Sequence, residues 1–266
     1  MLNMLKYQFY RLSRSISTYI GLALIVIFDV MIVGMNASLP GAQSGEDALS
    51  NFMTAAQMAS FSFAAMAVPM VYSAWVVIYA YGEFQQGYIR NIAPSVKNKC
   101  NFFFSHLIVC AIMFVVYAIF SCTVTIICSK LMVPGIQTGD FLILAKTLLM
   151  YFLLHITYAA LALLAVYFFR NIFIPLFVTF SVSMGIETIP IVIVQNLIDH
   201  TMGDKAEEIN SWLNHLSISI NLYSVEYCFI SSKESEDIGK IIIMSGIVLI
   251  LYSVLACLSI TKKDIK

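Results

Sequence analysis

The sequence predicts an all-α integral membrane protein with six transmembrane helices. Three observations lead there. Hydrophobic residues make up 60% of the 266 positions and charged ones 11%, where a soluble domain carries about 25% charged residues. The apolar residues come in long blocks instead of at helical spacing, and a block of about 20 residues spans a hydrocarbon core about 30 Å thick. A polar, basic stretch, YGEFQQGYIRNIAPSVKNKCNFFFSH from Tyr81 to His106, separates two of these blocks.

Taken in order, residues 1–14 (MLNMLKYQFYRLSR) place Met1, Leu2, Leu5, Phe9 and Leu12 towards one helical face. Lys6, Arg11 and Arg14 lie towards the other, the pattern of an interfacial helix in the lipid headgroups. Spans are expected at about 17–36, 57–80, 102–128, 141–168, 172–196 and 240–260. The second contains Pro69 and is dense in small residues (Ala59, Ser60, Ala64, Ala65, Ala67, Ser73, Ala74), which let helices approach closely in lipid. The segment 197–238 mixes Trp212, Leu213, Leu216, Ile218, Ile220 and Leu222 with polar residues, as expected for short amphipathic helices at the outer interface. The whole chain, 1–266, reads as one membrane domain without an internal repeat.

Orientation follows from counting. With both termini inside, the inner side holds Lys6, Arg11, Arg14, Arg90, Lys97, Lys99, Arg170, Lys262, Lys263 and Lys266. The outer side holds Lys130, Lys146, Lys205, Lys233 and Lys240. That bias places both termini and the island 82–100 in the cytoplasm of a cell-membrane protein.

The chemistry absent from the sequence is informative. There is no G-x-x-x-x-G-K-[ST], no G-x-S-x-G and no H-E-x-x-H, so neither a P-loop ATPase nor a hydrolase of those kinds is expected. His106, His155, His200 and His215 are scattered, and the six cysteines form no C-x-x-C. No bound metal, cofactor or disulfide is expected. A net charge of zero implies no nucleic-acid partner. Ionisable residues inside apolar blocks are costly, about 2.5–3.5 kcal/mol each on insertion scales. Asp29, Lys146, His155 and Glu187 are such residues. Asp29, Lys146 and Glu187 count to similar depths, and Lys146 is expected either to pair with Glu187 or Asp29 or to snorkel unpaired. His155 is expected to make a packing hydrogen bond.

The order of basic N-terminal helix, two spans, E-F-x-x-G-Y-[IV]-[RK]-N, a further basic residue and four more spans resembles the permease subunits of ABC-2-type exporters. The matching residues are Glu83, Phe84, Gly87, Tyr88, Ile89, Arg90 and Asn91, followed by Lys97 or Lys99. Tyr88 stands where the family often has Thr, and in this the chain is similar to the lantibiotic/bacteriocin-immunity and peptide-export group. The resemblance implies a non-catalytic permease that dimerises, as homo- or heterodimer, with a separate ATP-binding subunit carrying ATP and Mg at the cytoplasmic face. It makes 82–100 the ATPase-coupling segment, with Glu83, Phe84, Gly87, Tyr88, Arg90, Asn91 and Lys97 passing on force. It makes 1–14 the elbow helix and 197–238 the outer capping segment. An amphipathic or lipophilic cargo, an antimicrobial peptide or drug, would leave outward. The competing readings are an immunity factor or scaffold that sequesters a peptide without an ATPase, and a membrane-embedded enzyme.

Overall fold

The computed structural model describes residues 2–38, 53–64, 67–87, 99–133, 135–202, 206–230 and 236–262. Among them every regular element is a helix. In chain order these are α1 (Leu2–Arg14), α2 (Ile16–Ala37), α3 (Ala55–Ala64), α4 (Ala67–Gln85), α5 (Cys100–Met132) and α6 (Phe141–Phe169). The rest are α7 (Phe173–Ser183), α8 (Thr188–Met202), α9 (Ala206–Asn214), α10 (Ile218–Ile230) and α11 (Glu236–Lys262). Four helices (α2, α5, α6 and α11) are long and apolar enough to cross a bilayer, and the bent pairs α3–α4 and α7–α8 raise the number to six if each is one span.

Both bends lie where continuous spans are expected. The second span, expected at about 57–80, is two helices whose axes differ by 48°. α3 begins with a reciprocal cap: Thr54 Oγ1 accepts from Gln57 N–H at 3.3 Å, and Gln57 Oε1 accepts from Thr54 N–H at 2.8 Å. The next two amides, of Ala55 and Ala56, donate to the carbonyls of Gln137 and Thr138. Gly139 (φ +84°) allows that approach, since a Cβ there would stand 2.5 Å from Thr54 Oγ1. Pro69 falls in the first turn of α4, where its missing N–H leaves no helical bond unmade.

The expected fifth span, 172–196, bends by 53° between α7 and α8. Gly185, at φ +74°, closes α7: its N–H donates to Val182 O, and Ile186 N–H donates to Ser181 O. This pair of bonds is the glycine-terminated Schellman arrangement. The segment 197–238 opens with the end of α8 and continues as α9 and α10. α10 does more than rest at an interface: Ile218, Leu222 and Val225 are buried in the main core.

α6 is the central helix, packed against α3, α4, α5, α7, α10 and α11. Its small residues Ala159, Ala160 and Ala162 are fully buried, which permits close approach on more than one side. α3 is likewise almost entirely enclosed by protein. By contrast α2, α7 and α11 turn Ile20, Ile27, Phe173, Phe177, Ile250 and Leu255 outward, an apolar exterior suited to lipid.

Candidate functional site: a buried ionic cluster at the end of α4

α1 docks on the bundle by the face that carries Met4, Gln8 and Arg11, three residues at i, i+4 and i+7. Met4 and Gln8 are buried, whereas Phe9 and Tyr10 point outward. This revises the expected division of α1. Arg11 turns inward instead of lying with the headgroups, and Phe9 is left for lipid.

The inward face of α1 meets Glu83, which is completely buried. The arginine Nη1 stands 2.9 Å from Glu83 Oε1. The other carboxylate oxygen lies 3.2 Å from His106 Nε2, on α5. Gln8 Nε2 donates to Glu83 Oε1, and Tyr79 hydroxyl donates to Gln8 Oε1 at 2.8 Å and to Gln8 O at 2.9 Å. Arg11 also donates to the carbonyl of Tyr79 and sits 4.3 Å from that ring's centroid, a cation–π contact. Gly82 makes room for this: a Cβ there would come 2.6 Å from Arg11 Nη2.

His106 is set among polar groups. Its Nδ1 lies 2.9 Å from Phe102 O and 2.8 Å from the Tyr167 hydroxyl, and its Nε2 faces the carboxylate. Arg11 is charged at all accessible pH. Glu83 is thus one carboxylate set between Arg11 of α1 and His106 of α5. Burial and the Glu83 charge push the phenol of neighbouring Tyr7, on α1, above its ordinary value.

The cluster replaces the expectation that Glu83 is a surface residue of a polar island. α4 runs on to Gln85, so Glu83 is a helical residue facing the core. Phe84 packs edge-on against Tyr167 with centroids 5.5 Å apart, and Gly87 (φ +70°) ends the helix. Lys99 is the N-cap position of α5. Tyr88, Ile89, Arg90, Asn91 and Lys97 lie outside the described residues. Gln8, Arg11, Tyr79, His106 and Tyr167 were not singled out as site residues by the sequence; Gln8, Arg11 and His106 reach Glu83 from far along the chain, and Tyr79 and Tyr167 hold Gln8 and His106 in turn.

The intramembrane ionisable residues are dispersed. Glu187, at the α7–α8 bend, accepts from Ser217 Oγ at 2.8 Å and from Ser219 N–H at 2.9 Å, next to the start of α10. Lys146 is exposed on α6. It therefore forms no pair with Glu187 or Asp29: the ion pairs among the described residues are Arg11–Glu83 and His106–Glu83. The competing demand on Glu187 is the unpaired amides of a helix start, which a carboxylate satisfies well. His155 donates from Nδ1 to Tyr151 O in its own helix at 2.9 Å, and its ring packs 4.7 Å from that of Phe114. Asp29 is buried in the bundle. No group of three or more His, Cys, Asp or Glu able to hold a metal ion occurs among the described residues.

A helical bundle with four to six candidate membrane spans, and with α1 pinned to the end of α4, defines a multi-pass membrane protein. Residues 4–185 match the family model described as ABC-2 family transporter protein, and the chain belongs to that family. No curated protein matches the chain significantly.

Proposed function

We propose that this chain is the membrane-spanning permease subunit of an ATP-driven exporter, that a separate ATP-binding subunit docks on 82–100, and that its motion reaches the bundle through the Arg11–Glu83–His106 cluster. The observation that carries this reading is the position of Glu83. It lies four residues before Gly87, where α4 ends, and joins α1, α4 and α5 by ionic contacts. Separating a buried charge from its partners costs about 3–5 kcal/mol. A pull on the segment after Gly87 would therefore move three helices as one body.

ATP and Mg would be carried by the partner subunit, a reading supported by the lack of a G-x-x-x-x-G-K-[ST] in this sequence. The permease pairs with a second permease subunit, both termini face the cytoplasm, and the cargo is amphipathic or lipophilic, an antimicrobial peptide or drug. Two apolar hollows support that choice of cargo. One, about 630 Å³, lies between α5 and α6 against Ala118, Cys122, Leu148 and Phe152. The other, about 480 Å³, lies among α6, α7 and α11.

The test is purification of the tagged full chain from its native membrane in mild detergent, with mass spectrometry and an ATPase assay. A stoichiometric P-loop protein with vanadate-sensitive activity is expected, uncoupled from transport by Glu83→Ala. If no ATPase co-purifies and the variant behaves as the parent does, the exporter reading fails.

A further inference from the structure

Away from the ionic cluster, α2 buries Thr18, Gly21, Ile25, Asp29 and Val33 against the bundle. Asp29 lies about 20 Å along the helix from Ile16, at 1.5 Å per residue. It has no exposure to solvent, nor do Ser62 of α3 and Ser121 and Thr125 of α5. The hydroxyls of Ser62 and Ser121 are polar neighbours of the carboxyl, and Thr125 follows one turn beyond Ser121 on the same face of α5.

The hydrogen bonds leave this carboxyl without a donor. Neither oxygen of Asp29 has a hydrogen-bond partner, and neither has the Thr125 hydroxyl. Ser62 donates its one proton to Ala59 O at 2.9 Å. The Ser121 hydroxyl lies 3.2 Å from Ser62 Oγ. No cation stands opposite, because both ion pairs among the described residues belong to Glu83. An ionised Asp29 would be a bare charge in a dry interface, which costs several kcal/mol. A protonated carboxyl carries no charge and supplies its own O–H, for which Ser121 and Thr125 still have lone pairs.

We propose that Asp29, with Ser62, Ser121 and Thr125, is an intramembrane proton-binding site. The carboxyl holds a proton in the packing seen here, and parting α3 from α2 and α5 lets the O–H bond break and the proton pass to water. A divalent ion, which takes six or more oxygens and favours several carboxylates, does not fit one carboxylate and three hydroxyls. The inference stands whether or not an ATPase docks.

Other titratable groups on the surrounding helices are engaged or remote. From α5, the Cys122 thiol is near Asp29, while Tyr117 lies against Gly21, about two turns away. His106 and Cys110 are further towards the α1 end, and Cys128 and Lys130 lie beyond Thr125. α3 contributes no titratable residue. α4 contributes Tyr72, Tyr79, Tyr81 and Glu83; Tyr72 donates to Cys110 O, and Tyr79 and Glu83 belong to the ionic cluster. α2 itself adds Tyr19, which donates to Ser13 O.

Infrared spectroscopy of the full chain in lipid vesicles tests the site. On titration from neutral to mildly acidic pH the wild type should gain the C=O stretch of a protonated carboxylic acid that is missing from Asp29→Asn. Exchanging potassium for sodium should leave that band in place. The double variant Ser121→Ala, Thr125→Val should move it to the higher frequency of a less hydrogen-bonded acid. Native protein binds more protons here than unfolded protein, so stability should fall as pH rises in the wild type and less steeply in Asp29→Asn. No Asp29-dependent band, a band abolished by sodium, a band unmoved in the double variant, or equal pH slopes would overturn the proposal.

Discussion

The Arg11 guanidinium stands 2.9 Å from the Glu83 carboxylate, yet the arginine side chain keeps 15% of its surface exposed and the glutamate none. The two halves of the pair should therefore respond differently to mutation. Glu83→Ala takes the buried carboxylate from Arg11, His106 and Gln8 at once, and a loss of about 3–5 kcal/mol is expected. Arg11→Met should cost less, because Glu83 retains His106 and Gln8. Unfolding in detergent by heat or denaturant would measure both. Equal losses would contradict a cluster in which His106 and Gln8 hold Glu83 when Arg11 is gone.

Gly82 gives a sharper test, because its effect should change sign with residue 11. In the wild type, Gly82→Ala places a methyl against Arg11 Nη2, and overpacking of this kind costs about 1–3 kcal/mol. In an Arg11→Met background that contact is gone, and alanine's better helix propensity should stabilise α4 by up to about 1 kcal/mol. A double-mutant cycle on thermal stability reads the difference. A Gly82→Ala effect that ignores residue 11 would mean that the glycine serves another purpose.

The long elements were legible because hydrophobicity in a bilayer protein comes in blocks. The expected spans 17–36, 102–128, 141–168 and 240–260 each fall within one helix. The two bends were not read, because a hydropathy window averages across a single turn. Local signals were nonetheless present: Thr54 three residues before Gln57, and Gly185 after the apolar run of α7. Glu83 was given a surface setting, whereas it is buried. Its neighbours Gly82, Gln85 and Gln86 suggest a surface, whereas its partners stand at positions 8, 11 and 106. His106 was passed over as one of four scattered histidines for the same reason. A pairing that depends on three helices meeting leaves no local pattern at any one of them.

Glu187 accepts from Ser217 and from the backbone of Ser219, so its mutation should loosen α10 and leave Lys146 unaffected. Glu187→Ala is expected to cost about 1–3 kcal/mol, the usual penalty for leaving such donors unmet. Lys146→Met should be nearly neutral, since the side chain is exposed. Their coupling energy in a double-mutant cycle should be close to zero, and Ser217→Ala should couple to Glu187→Ala instead. A sizeable Lys146–Glu187 coupling would restore the ion pair.

The thiols of Cys100, at the start of α5, and Cys257, in α11, are in contact. A disulfide requires Cα atoms within about 7 Å and suitably directed Cβ atoms, so mild oxidation of native membranes should join them within one chain. Thiol counting and peptide mapping under non-reducing conditions would detect the bond, and Cys100→Ser should abolish it. The cross-link would fasten the start of α5 to α11. If the proposed coupling moves α5 relative to α11, transport should fall on oxidation and return on reduction, while ATP hydrolysis continues. Unchanged transport in a fully cross-linked sample would show that these two helix ends travel together, and the coupling motion would then have to pass through α1 and α4.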